Sequence, residues 1–208
     1  MLAESNLPDF IARLGSSEAT PGGGGAAALS GASAAGLVTM VARLTTGKPA
    51  FAAIEERLQQ IIAQGDRLQS ELLGAIDDDA LAFEQVMAAY GLPRSTDEEK
   101  KTRQATLQPA LVGATESPLQ IARRCLQVVQ MAAELAETGN PQTITDAGTA
   151  ATLAEAALQG AVFQARVNLK SIKDSAYVTE KKAEIESLLQ TAQAARSRAL
   201  AAVNQKLG

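Results

Sequence analysis

The 208-residue sequence predicts an all-α protein: a helical bundle in one domain, residues 1–208, with two Ala-rich buried central helices and one very long helix. Three observations predict it. Apolar residues recur at helical spacing through most of the chain, and no stretch alternates as a strand would. Two stretches, Ala19–Gly47 and Asp146–Ile172, are rich in Ala and nearly free of charge, as helices buried on most sides are. Aromatics make up only 3% of a chain that is 46% hydrophobic, so the core must come from Leu, Ala, Val and Ile on closely packed helices.

Each element follows from local signals. Ser5 or Asn6 caps a short first helix that tolerates Pro8 in its first turn; Leu7, Phe10, Ile11 and Leu14 form its apolar stripe, and Gly15 ends it. Pro21, Gly22, Gly23, Gly24 and Gly25 then open a helix that meets no breaker until Gly47-Lys48-Pro49. Gly31, Ser33, Ala34 and Ala35 would let another helix approach its backbone. The opening glycines can take positive φ and leave N–H groups free at a helix N-terminus, a mouth suited to an anion. Phe51–Tyr90 has no proline and carries Ile54, Leu58, Leu68, Leu72, Ile76, Phe83, Val86 and Tyr90 at helical spacing. It reads as one helix of about 40 residues, roughly 60 Å long, with Gly65 and Gly74 as points of bending.

Thr96 and Glu99 form a capping box that starts the next helix. Pro109 should bend or break it, with an end near Ala114, and Ser117-Pro118-Leu119-Gln120 reads as the start of a separate helix ending at Gly139-Asn140-Pro141. Thr143 or Thr145 caps the helix from Asp146 to Ile172, whose only charge between Ala147 and Val162 is Glu155. The last helix, from Ser175 or Thr179 to Leu207, turns Ile185, Leu188, Leu189, Ala192, Leu200 and Val203 inward. A 40-residue helix outruns the width of most single domains, so a homodimer or higher homo-oligomer is expected.

Composition narrows the function. A net charge of -4 speaks against a general nucleic-acid binder. The lone cysteine, Cys125, excludes an internal disulfide, fits a cytoplasmic protein and reads as a small core residue. Glu4 and Asp9 sit where a signal peptide would be apolar. The Ala19–Gly47 helix is long enough to raise a membrane question, but its Ala, Gly and Ser content suits packing, and no membrane partner is expected. There is no histidine. A His-ligated zinc site and a Ser-His-Asp triad are therefore excluded, and any general acid or base must be Asp, Glu, Lys, Tyr or Cys125.

The acidic run Asp77-Asp78-Asp79 lies inside the long helix, where Asp is locally unfavourable. On a helical wheel Asp78 points away from the apolar stripe, Asp77 lies at its edge, and Asp79 shares the face of Leu72, Ile76, Phe83 and Val86. A carboxylate pressed against such groups loses hydration, its pKa rises, and it becomes usable as an acid or base near neutral pH. The plainer reading is a solvated acidic run. No second carboxylate cluster accompanies it, so no metal is expected. Asp146, in the first turn of the second Ala-rich helix, either complements the helix dipole or pairs with an amidine-like ring edge. Arg166, Asn168, Lys170 and Lys173 gather about 30 Å away at the other end of that helix, Lys48 follows the first Ala-rich helix, and the basic pairs Lys100/Lys101 and Arg123/Arg124 read as solvated faces.

Several segments together resemble the cyclodeaminase/cyclohydrolase family, which includes the C-terminal domain of formiminotransferase-cyclodeaminase and stand-alone bacterial relatives. They are Ala19-Thr20-Pro21-Gly22-Gly23-Gly24, Leu44-Thr45-Thr46-Gly47-Lys48, Ile76–Phe83, Leu92-Pro93, Ser117-Pro118-Leu119, Gly139-Asn140, Thr145-Asp146 and Val167-Asn168-Leu169. Two positions depart from the family pattern: Gly25 stands where Ser is frequent, and Gln164-Ala165 where Asn-Val is frequent. The resemblance implies chemistry on one-carbon tetrahydrofolates, with the folate as substrate and no further cofactor or metal. The first expectation is a formimidoyltetrahydrofolate cyclodeaminase, the alternative a methenyltetrahydrofolate cyclohydrolase. A helical folate-binding or scaffold protein without catalysis is the reading from another class, motivated by Gly25 and Gln164. The family's catalytic aspartate corresponds best to Asp77, and the wheel favours Asp79 as second choice or pterin ligand. Asp146 and Asn168 are expected to bind substrate. Gly22, Gly23, Gly24 and Lys48 are expected to hold the anionic tail of a folate, polyglutamylated or not.

Overall fold

The computed structural model describes all 208 residues and is helical throughout, with no strand. Six helices follow in order: α1 (Leu7–Leu14), α2 (Gly23–Arg43), α3 (Glu55–Gly91), α4 (Asp97–Thr138), α5 (Ile144–Leu169) and α6 (Ser175–Leu207). Short 3-10 turns cover Leu2–Glu4, Pro49–Ile54 and Pro141–Thr143. The predicted all-α bundle with two buried Ala-rich helices is what forms. α2 and α5 pack on each other, α3 lies along α2, α4 crosses beside α5 and α3, and α6 closes the α4/α5 side. Asn6 caps α1 by accepting the Asp9 N–H, and the Thr96/Glu99 capping box opens α4.

The core is built by close backbone approach. Twelve of the 21 residues of α2 are buried, including Gly31, Ala34 and Ala35. A methyl group at Gly31 would stand 2.6 Å from the Cys125 sulfur on α4 and 3.3 Å from the Leu72 methyls on α3. Three helices therefore meet where only hydrogen fits. Ser33, expected at this contact, faces outward instead. α3 runs on through Gly65, whose missing side chain makes room for Thr39 of α2. α2 is long and apolar enough to cross a membrane, and here that apolarity is spent on packing.

The structure corrects three expectations. α3 is not the one very long helix: α4, at 42 residues, is longer still. α4 neither stops near Ala114 nor restarts at Ser117, for it runs unbroken through both Pro109 and Pro118. A proline costs a helix the donor to the carbonyl four residues back. For Pro109 that carbonyl belongs to Ala105, and both residues lie on the exposed face, where water serves. For Pro118 it belongs to Ala114, and the Asn168 side chain of α5 supplies the missing donor at 2.7 Å. Nor are Arg123 and Arg124 a solvated pair. Arg123 bridges Glu116 and Glu184 and so ties α4 to α6, and Arg124 pairs with Glu71 of α3 at 2.8 Å.

Two polar knots set the bundle's ends. Asn140 donates its side-chain N–H to the Leu44 carbonyl, and its backbone N–H to the fully buried Thr45 hydroxyl. This joins the α4–α5 turn to the C-terminus of α2, where Gly47 takes a φ of +72° and donates its N–H to Glu55. At the other end Gln108 donates to the Ser171 carbonyl and accepts from the Lys173 N–H, fixing the turn after α5. α2 and α5 therefore run antiparallel, with the glycine N-terminus of α2 beside the C-terminal turns of α5.

Candidate active site

That glycine end is where α3 outruns its cover. α2 begins level with Asp79, so the α3 stripe beyond it does not have α2 to bury against. Phe83, Met87 and Tyr90 stay 38%, 51% and 40% exposed for this reason. With Val86, Ala82 and Ala114, and with Val167 from α5, they form an apolar cavity of about 280 Å³. Its polar groups are Asp79, Gln164 and Asn168. Arg103 braces the far wall: its guanidinium lies 5.4 Å from the Tyr90 ring centre and donates to the Tyr90 carbonyl at the end of α3.

Asp79 sits half-buried at the cavity's edge, and no protein donor reaches its carboxylate. Burial alone pushes its pKa above the ordinary aspartate value. It lies directly on α2: a side chain at Gly24 would collide with the carboxylate, and one at Gly23 would stand 2.6 Å from the Gln164 amide. These glycines were expected to supply positive φ. None of them adopts it; Gly22 is extended at φ -116°. Their role is close approach, which lets Asp79 and Gln164 reach a helix N-terminus that no side chain caps. Asn168 is held by its amide N–H groups, which donate to the Ala114 carbonyl at 2.7 Å and the Gln164 carbonyl at 3.2 Å.

The expected site residues divide into two groups. Asp79, Asn168 and Gly22, Gly23 and Gly24 come together. Asp77 does not join them. It points to the side of α3 and accepts the backbone N–H groups of Leu2 at 2.6 Å and Ala3 at 3.4 Å, so it anchors the N-terminal segment. Lys48 and Asp146 lie at the opposite end of α2 and α5, about 30 Å away along either helix. Of the basic residues on this end of α5, Arg166 is paired with Glu186 at 2.7 Å, and both line a separate hollow together with Lys170 and Lys182. In the sequence Gln164 stood out only as a departure, and Phe83 and Tyr90 as members of the apolar stripe of the long helix. The available signal was that their stripe runs on past the point where the facing helix starts.

Known proteins share this architecture. The formiminotransferase-cyclodeaminase family model matches residues 6–187. Methenyltetrahydrofolate cyclohydrolase of Methylorubrum extorquens is 44% identical over 207 residues, covering all of both chains. The formimidoyltransferase-cyclodeaminase of Rattus norvegicus is 33% identical over 191 residues; these are 92% of this chain but 35% of the rat protein, so the chain spans about a third of that relative. The crystal structure of formiminotetrahydrofolate cyclodeaminase from Thermotoga maritima superimposes with a TM-score of 0.90 at 26% identity over the full length of both. Sequence match and fold agree, and the chain belongs to the formiminotransferase-cyclodeaminase family.

Proposed function

We propose that the protein is a one-carbon folate enzyme that hydrolyses 5,10-methenyltetrahydrofolate to 10-formyltetrahydrofolate, with Asp79 as general base and acid. The single observation that carries this is a half-buried carboxylate of raised pKa facing an apolar cavity that offers only neutral polar partners besides. Water attacks the bridging carbon as Asp79 takes its proton. The tetrahedral adduct then loses its bond to N5, which receives that proton, while the hydroxyl proton leaves as the formyl C=O forms. One carboxylate serves both steps without histidine. The cavity's size suits the ring system rather than the whole folate. An anionic or polyglutamate tail would leave across Lys170 and Lys182, not across the distant Lys48.

The full-length 44% relative puts cyclohydrolysis ahead of cyclodeamination, the reverse of the order the sequence suggested. Cyclodeamination is kept as the second reading on the Thermotoga likeness. There N10 would attack the formimidoyl carbon and Asp79 would carry the N10 proton to the departing ammonia. An absorbance assay separates the readings. Faster loss of methenyltetrahydrofolate supports the hydrolase. Formation of the methenyl compound with ammonia from N5-formimidoyltetrahydrofolate supports the deaminase. Silence in both, with folded protein, refutes both and favours a binding role.

The working unit is proposed to be a homodimer. α2 turns Leu29, Ser33, Leu37 and Met40 outward, and the adjacent α5 adds Ala156, Phe163 and Val167. This face is almost uncharged and continuous across two antiparallel helices, so a second copy can meet it about a two-fold axis. Such a pairing would carry the partner's Asp146 end toward the Asp79 cavity.

A further inference from the structure

We infer that Pro118 is a positioning residue: by leaving the Ala114 carbonyl without its helical donor, it fixes the Asn168 amide so that Oδ1 faces the cavity as a pure hydrogen-bond acceptor. This rests on the folate reading only for the identity of the ligand. The geometry is local and complete. Pro118 is buried inside an unbroken α4, four residues after Ala114. It has no N–H, so that carbonyl lacks its regular partner. The Asn168 side chain donates to it at 2.7 Å, and its other contact is the Gln164 carbonyl at 3.2 Å. Both partners are acceptors, so the side chain's nitrogen must face them and its oxygen must face away. No protein donor reaches that oxygen, and both Ala114 and Asn168 line the cavity.

The consequence is a defined polarity. Asn168 accepts and cannot donate toward the ligand, so it selects an N–H edge, as a reduced pterin presents. The other proline of the helix makes the contrast. Pro109 frees the Ala105 carbonyl, no side chain takes it, and Pro109 borders a different groove.

The test compares Pro118→Ala, Asn168→Ala, the double variant and Pro109→Ala with the wild type. An alanine at 118 restores the N–H that the Ala114 carbonyl lacks and so displaces Asn168. In the free protein the Asn168 side-chain amide resonances should shift in Pro118→Ala and not in Pro109→Ala. In the wild type they should exchange more slowly than the exposed Asn204 amide. An N–H edge is present in both ground state and transition state, so KM for methenyltetrahydrofolate should rise about tenfold with kcat nearly kept. The double variant should be no worse than Asn168→Ala, while Pro109→Ala keeps wild-type kinetics. An unmoved Asn168 amide overturns the inference, as does a Pro118→Ala effect that adds in full to Asn168→Ala. A wild type that turns over neither folate sinks the folate reading, and the amide measurements on the free protein still decide the role of Pro118.

Discussion

Two aspartates two positions apart on one helix have different fates. Asp77 is tied to the first residues of the chain by two backbone N–H groups, and Asp79 has only apolar and amide neighbours. Asparagine at 79 should cost the reaction at least about 100-fold, the usual scale for losing an acid/base group. It should not cost stability at neutral pH. The folded chain binds the Asp79 proton more tightly than the unfolded chain does, because burial raises the native pKa. The contribution is therefore fully present below the ordinary aspartate pKa and is lost as pH rises through the raised native value. Urea melts of wild type and Asp79→Asn should show the variant gaining on the wild type from acid to neutral pH. Cys125 is also silent by burial: its thiol is pushed up to about 12 and is fully enclosed. A thiol reagent should not label it until the protein unfolds. The helical wheel already put Asp79 on the apolar face and Asp77 at its edge. What it could not contain was the partner of Asp77, a segment 75 residues away in sequence.

At the scale of elements, caps and periodicity were legible and proline breaks were not. The Thr96/Glu99 box and the Asn6 cap act within a turn, so the local sequence holds all their partners. Whether a mid-helix proline breaks a helix depends on who takes the freed carbonyl. At Ala114 that is Asn168, 54 residues on. The small residues of α2 were legible as a packing surface, and the structure names what they receive. Gly31→Ala should push on the Cys125 sulfur and cost ~1–3 kcal/mol in a denaturation melt. Cys125→Ala in the same chain should return part of that loss, because the collision is with the sulfur itself. Equal destabilisation with and without Cys125 would place the strain elsewhere, at Leu72.

The whole molecule explains where the cavity is. α3 and α4 are longer than the core they build, and the cavity forms where α3 continues beyond the first residues of α2. Helix lengths were legible to within a few residues, except across the prolines. The antiparallel pairing of α2 with α5 was not, because Asn140, which ties the start of α5 to the end of α2, acts across the chain. That pairing is why Lys48 and Asp146 stand far from Asp79 in one copy. It is also why the uncharged α2/α5 face matters. Phe163→Glu, on a residue 61% exposed, should halve the particle mass seen by sedimentation while leaving helix content unchanged. An unaltered mass would rule this face out as a contact between copies.

Everything proposed for the site turns on the cavity carboxylate, Asp79, as the group that moves the proton. The most direct measurement is the rate of methenyltetrahydrofolate loss for wild type, Asp79→Asn and Asp77→Asn, side by side and with folding checked. With Asp79 as the acid/base, Asp79→Asn falls to near the uncatalysed rate and Asp77→Asn keeps most of its activity. A collapse in Asp77→Asn with Asp79→Asn still active would contradict that assignment and move the acid/base role to the carboxylate beneath the N-terminal segment.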